Sequence, residues 1–103
     1  MDTTIKILGC ALLLVFLALP PAAARVKVVA TTTTYASLAK EIGGDKVETF
    51  SIASPDQDVH FVRPKPSFAP KLARADLLLT TGMDLEMWLP TLIDKAGNAK
   101  VRE

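Results

Sequence analysis

Residues 76–80 read DLLLT, a nearly continuous apolar run no longer than a strand. A strand of that kind is stable where both of its faces are covered, and helices flanking a parallel sheet give such cover. The flanking sequence supplies the helices. Residues 25–30 (RVKVVA) form a β-branched run, followed by four threonines suited to a loop that ends in a helix N-cap. Tyr35, Leu38, Ala39 and Ile42 then fall at i, i+3, i+4 and i+7 on one helical face, and Gly43 and Gly44 end the helix. Residues 46–52 (KVETFSI) predict a second strand. Ser67 is placed to cap a short helix in which Phe68 and Leu72 share a face and Pro70 falls in the first turn.

After the DLLLT strand, Gly82 turns the chain and Asp84 is placed to cap a third helix carrying Leu85, Trp88, Leu89, Leu92 and Ile93. Pro90 should kink or split that helix, because it removes a backbone hydrogen bond. Gly97 and Asn98 close it, and Val101 opens a further strand. The alternation of strand and helix predicts an α/β fold, a parallel sheet of βαβ units with right-handed crossovers. Ligands of such sheets lie at the carboxyl ends of the strands, so loops 31–34, 53–66 and 81–84 are the places to look for function.

The N-terminus speaks to location. Lys6 precedes the apolar run 7–19, which is short of the roughly 20 residues a membrane span needs. Two prolines and the small-residue stretch 22–24 follow, so residues 1–24 are expected to be a cleaved signal peptide and 25–103 the exported domain. Cys10 sits in ILGC, a sequence like an acylation box, but almost no hydrophobic core precedes it, which argues against lipidation there. Its loss with the signal leaves an exported part without a thiol or a disulfide.

Twelve Lys and Arg face eleven Asp and Glu, interspersed along the chain, so no basic stripe points to nucleic acid. Residues 25–103 make a small domain that buries a low fraction of its surface, and the ending at Val101 to Glu103 reads as the opening of another strand. A fragment of a larger protein is the expectation.

The loop after the second strand is long for an α/β connection and holds Asp56, Asp58 and His60, the single histidine of the chain. A neutral imidazole is a ligand for zinc and other divalent metals. One histidine does not complete a site, and no second ligand stands at ligand spacing from it. The two aspartates, beside Pro55, have the chemistry of turn formers. Trp88, on an apolar helix face, reads as core. No nucleophile, acid–base pair or phosphate cradle is present, so no enzyme activity is expected.

The string of residues 58–67, DVHFVRPKPS, resembles the first metal-ligand segment of the periplasmic zinc and manganese solute-binding proteins of ABC importers, the cluster A-I receptors. Their usual form is D-P-H-x-[YF]-E-P-x-P-S, matched here at Asp58, His60, Pro64, Pro66 and Ser67. Residues 75–79 to Gly82, then 85–89 (LEMWL), resemble the family's next strand and its L-E-x-W-L helix. Val59, Val62 and Arg63 depart from the pattern, where the family has proline, an aromatic and an acid.

The resemblance implies a two-lobe protein with the metal in the cleft between its lobes. It implies His60 as a ligand for Zn2+ or Mn2+ carried as cargo, Asp58 as a loop-shaping neighbour, and the remaining ligands beyond Glu103. It further implies a monomeric periplasmic receptor that delivers its ion to a membrane permease. A different class remains open on the residues alone: a small secreted α/β interaction domain, or a truncated product, with no metal of its own.

Overall fold

The computed structural model describes residues 23–103, so the expected signal segment 1–24, with Cys10, lies almost wholly outside the described residues. Strand β1 spans Val26–Ala30, β2 Val47–Ser51 and β3 Leu77–Leu79; helix α1 spans Thr33–Gly43, α2 Phe68–Ala73 and α3 Leu89–Ala96. Single turns of 3-10 helix stand at Gly44–Lys46 and Val59–Phe61. All pairings are parallel in the order β2-β1-β3, with Val28 facing Thr49 on one side and Leu77 on the other. Arg102 bridges to Leu77, again in parallel, where the sequence predicts a further strand. The α/β parallel-sheet expectation holds.

Local chemistry sets the element ends. The Thr32 hydroxyl accepts from the Tyr35 amide at 3.4 Å and caps α1. Gly44, at φ 57°, closes α1 through its N–H to the Lys40 carbonyl. A Cβ at Gly43 would collide with the Val47 side chain, so the absence of a side chain lets β2 start directly beneath the helix end. Asn98 donates to the carbonyls of Leu72 and Ala75, both at 2.9 Å, tying the exit of α3 to the end of α2.

The core lies on one face of the sheet. Val29 and Leu78 meet Leu72 of α2, Leu89 and Leu92 of α3, and Ile52, Ala53 and Val62 from the long loop. Leu72 is fully buried and Leu78 retains 1% of its exposure. The opposite face is covered only in part, which corrects the expectation from the DLLLT run. Helix α1 packs on β1 and β2, and Leu77 and Leu79 remain half-buried beside an open apolar groove of about 550 Å3. The α1 stripe borders that groove instead of filling a core: Leu38 is 50% exposed and Ile42 86%.

The third helix is also shorter than its apolar spacing predicts. Residues 83–88 form turns, Met83 and Asp84 have φ of 55° and 59°, and α3 begins at Leu89 with Pro90 in its first turn. Asp84 therefore does not cap a helix. Proline fits the first turn, where its missing N–H has no intrahelical partner to lose, so the helix that starts at Leu89 is not kinked by Pro90. Ser67 precedes α2 without a side-chain capping bond.

The carboxyl edge of the sheet is closed by Glu86, a buried carboxylate. Its Oε1 accepts from the Thr31 hydroxyl at 2.8 Å and the Thr81 amide at 2.6 Å, and its Oε2 accepts from the Gly82 amide at 3.1 Å. Thr31 continues β1, and Thr81 and Gly82 follow β3, so one side chain joins two strand ends to the next loop. Burial alone pushes the Glu86 carboxyl up, but the hydrogen bonds from Thr81, Thr31 and Gly82 outweigh it and hold the group below its ordinary value.

Two predictions arise from this packing. Leu78→Ala should cost about 2–5 kcal/mol in denaturant unfolding, whereas Ile42→Ala should stay within about 0.5 kcal/mol. Because the folded-state carboxyl of Glu86 is depressed, its contribution is full above the ordinary glutamate range and is lost as pH falls through the folded value. Glu86→Gln turns one acceptor into a donor facing an amide or hydroxyl donor. It should cost on the order of 1–3 kcal/mol at pH 7, and its difference from the unsubstituted chain should shrink in unfolding curves measured below about pH 4.

Candidate functional site

Loop 52–67 leaves β2 at the carboxyl edge, and its start is part of the fold. The amides of Ile52 and Ala53 donate to the carbonyls of Ala30 and Thr31 at 2.9 and 3.0 Å, which extends the β1–β2 ladder beyond the strands. Ser54 and Gln57 then form a local turn, with the Gln57 side chain accepting from the Ser54 amide at 2.8 Å. Asp56 is exposed. An open depression of about 370 Å3 lies here, lined by Thr32, Tyr35, Ala53, Pro55 and Val59 among others.

Asp58 caps the turn that carries His60. Its Oδ1 accepts from the His60 amide at 2.9 Å and lies 2.6 Å from the His60 Nδ1. The backbone N–H of His60 and then its ring hold the Asp58 carboxyl below the usual aspartate value, so the group is ionised at neutral pH and can only accept. The proton between the two side chains therefore belongs to Nδ1. In the neutral imidazole this leaves the lone pair on Nε2, and the ring is about half exposed. The arrangement fits a divalent cation, because metal-bound histidines donate their other ring N–H to a carboxylate or carbonyl in this way.

The turn is anchored on both sides of His60. Val62 is buried at 4% exposure in the core, and the indole Nε1 of Trp88 donates to the Val59 carbonyl at 2.7 Å. Between these anchors His60 and Phe61 stand exposed, their rings tilted at 42°. Trp88 packs against the core as the sequence predicts, and it also holds a loop carbonyl, which periodicity does not show.

Of the sequence candidates, the structure brings together Asp58 and His60 and leaves Asp56 apart. Among the described residues no three His, Cys, Asp or Glu side chains are grouped to hold a metal. Thr31 and Thr32 take structural roles, one bonded to Glu86 and one capping α1. The importance of Glu86 is invisible in spacing, because a glutamate between Leu85 and Met87 looks like one more solvated position. Its only signal is its place in the LEMWL string.

Comparison with known proteins agrees with the architecture. Residues 28–103 match the family of the zinc-uptake complex component A, periplasmic, ZnuA. The chain is 37% identical over 83 residues to the manganese ABC transporter substrate-binding lipoprotein PsaA of Streptococcus anginosus, covering 77% of this chain and 27% of that protein. It is 34% identical, with the same coverage, to the iron ABC transporter substrate-binding lipoprotein MtsA of Streptococcus pyogenes serotype M1. The chain thus spans about a quarter of the length of these relatives.

Among solved structures, a Mn-bound periplasmic metal binding protein from candidatus Liberibacter asiaticus superposes with a TM-score of 0.68 at 19% identity, covering 76% of this chain and 29% of that one. Zn(II)-bound AdcA from Streptococcus pneumoniae superposes with a TM-score of 0.62 at 22% identity, covering 77% and 17%. These two likenesses show the fold. On the match that extends over residues 28–103, the chain belongs to the ZnuA family of periplasmic zinc-uptake components.

Proposed function

We propose that the protein captures a divalent transition metal, zinc or manganese, outside the cytoplasmic membrane and hands it to the permease of an ABC importer. His60 contributes one ligand through Nε2, and residues 25–103 form part of the first of two lobes. The observation that carries this reading is the Asp58–His60 pair: a carboxylate 2.6 Å from Nδ1 leaves Nε2 as the free donor atom at the carboxyl edge of a parallel sheet. The relatives named as metal ABC transporter substrate-binding lipoproteins support it.

The chemistry is ligand exchange. An incoming hydrated cation gives up water to the imidazole and to further donors, and no covalent bond of the protein is made or broken. Asp58 orients the ring by accepting from Nδ1, while Val62 and Trp88 limit the movement of the turn that carries it. Zinc takes about four ligands, so His60 alone gives weak binding, and the other donors lie outside residues 25–103. The ion is cargo, held by groups that can release it. Export through the segment 1–24 puts the receptor on the side of the membrane from which an importer draws.

The test is calorimetric titration with zinc and with manganese of this chain and of the protein continued along its reading frame past Glu103, each with and without His60→Ala. Tight binding in the continued protein and weak binding in the chain, both reduced by the substitution, are expected. Asp58→Ala should weaken binding by about 10- to 100-fold while leaving the fold intact. A continued protein that binds neither metal, or binds one equally well without His60, would overturn the reading.

A further inference from the structure

We infer that Trp88 is a positioning residue for His60, acting through the backbone of the turn that carries it, and that Glu86 supports it by fixing the loop on which it stands. The inference rests on the reading of His60 as a metal ligand. It is carried by an observation independent of metal, the 2.7 Å bond from the indole N–H to the Val59 carbonyl across 29 residues of sequence.

The 58–61 turn needs an external restraint. Its own bonds are local: the Phe61 amide donates to the Asp58 carbonyl at 3.0 Å, and Asp58 accepts from the amide and ring of His60. These bonds fix the shape of the turn and the rotation of the imidazole, but they move with the turn as a unit. Val62 fixes only the exit. Among the described residues, the Trp88 indole supplies the hydrogen bond that ties the turn to another element, and it does so at the residue preceding His60.

Trp88 is itself held. It immediately precedes the buried Leu89 at the start of α3 and packs against the core. Two residues earlier, Glu86 binds the Thr31 hydroxyl and the amides of Thr81 and Gly82. Position is therefore relayed from the end of β1 through Glu86 to the 83–88 turns, from Trp88 to the Val59 carbonyl, and so to the imidazole. This gives the pair Glu86 and Trp88 one shared task. A ligand must be held to within fractions of an ångström to contribute fully to a metal site, and an exposed loop does not reach that accuracy unaided.

The test uses the metal-free chain, in which His60 is the single histidine and its imidazole nitrogen resonances are unambiguous. Trp88→Phe keeps an aromatic ring and removes the donor. The expected result is a shift or averaging of the His60 imidazole 15N signals and a roughly five- to tenfold loss of hydrogen-exchange protection at the Phe61 amide. The methyl resonances of Leu72 and Leu78 should stay in place. A purely structural Trp88 would move the leucines or nothing. Should Trp88→Phe fail to fold, benzothienylalanine at the same position, which replaces the N–H by sulfur in a ring of the same shape, gives the same readout.

Unchanged imidazole signals and unchanged Phe61 protection in a folded variant lacking the N–H would overturn the inference, whatever the outcome of metal titration. Conversely, metal binding that is indifferent to His60→Ala would sink the ligand reading and leave the restraint itself measurable.

Discussion

A buried carboxylate at the edge of a small parallel sheet organises this protein's loops. Three strands end side by side, and the chain that leaves β1 and β3 has polar groups that cannot continue the ladder. Glu86 accepts from three of them, the Thr31 hydroxyl and the Thr81 and Gly82 amides. Taking a carboxylate out of water is costly unless its oxygens are bonded, and here the bonds outweigh the burial, as the depressed protonation of the group shows. The consequence is a fixed starting point for the 83–88 turns, whose Trp88 indole reaches the Val59 carbonyl beside His60.

The same logic of local charge and geometry operates on a smaller scale at the turn itself. Asp58 is the N-cap of a single 3-10 turn and the partner of the ring it carries, so one carboxylate sets both the backbone and the tautomer. In the neutral imidazole held in this way Nε2 is left as the free acceptor, and the proposed role of His60 as a ligand uses that atom. The departures from the family pattern sit around this arrangement without disturbing it. Val59 in place of proline still offers its carbonyl to Trp88, and Val62 in place of an aromatic still fills the core at 4% exposure.

Much of the fold was legible in residue spacing. The valines of β1, the leucines of β3 and the Thr32 cap of α1 follow from β-branched runs and threonine chemistry, and the parallel order follows from alternation. Spacing misled where it could not see partners. The helical stripe through Leu38 and Ile42 is real, but it borders an open groove, because burial depends on what packs opposite and not on periodicity. The stretch from Asp84 has helical spacing, yet positive φ at Met83 and Asp84 and the proline at position 90 delay the helix to Leu89. The turn at Asp58 was readable because an aspartate's bond to the amide two residues on is local. Glu86 was not, since its three donors come from positions 5, 4 and 55 residues away and no periodic signal joins them.

The central claim is that Nε2 of His60, with Nδ1 held by Asp58, is the atom this chain offers to a metal. Anomalous diffraction at the zinc edge from zinc-soaked crystals tests it most directly. The account predicts a zinc peak about 2.0–2.1 Å from the His60 Nε2 with the Asp58 contact to Nδ1 intact. A peak at Nδ1 with Asp58 displaced, or zinc held elsewhere with none at His60, would contradict it.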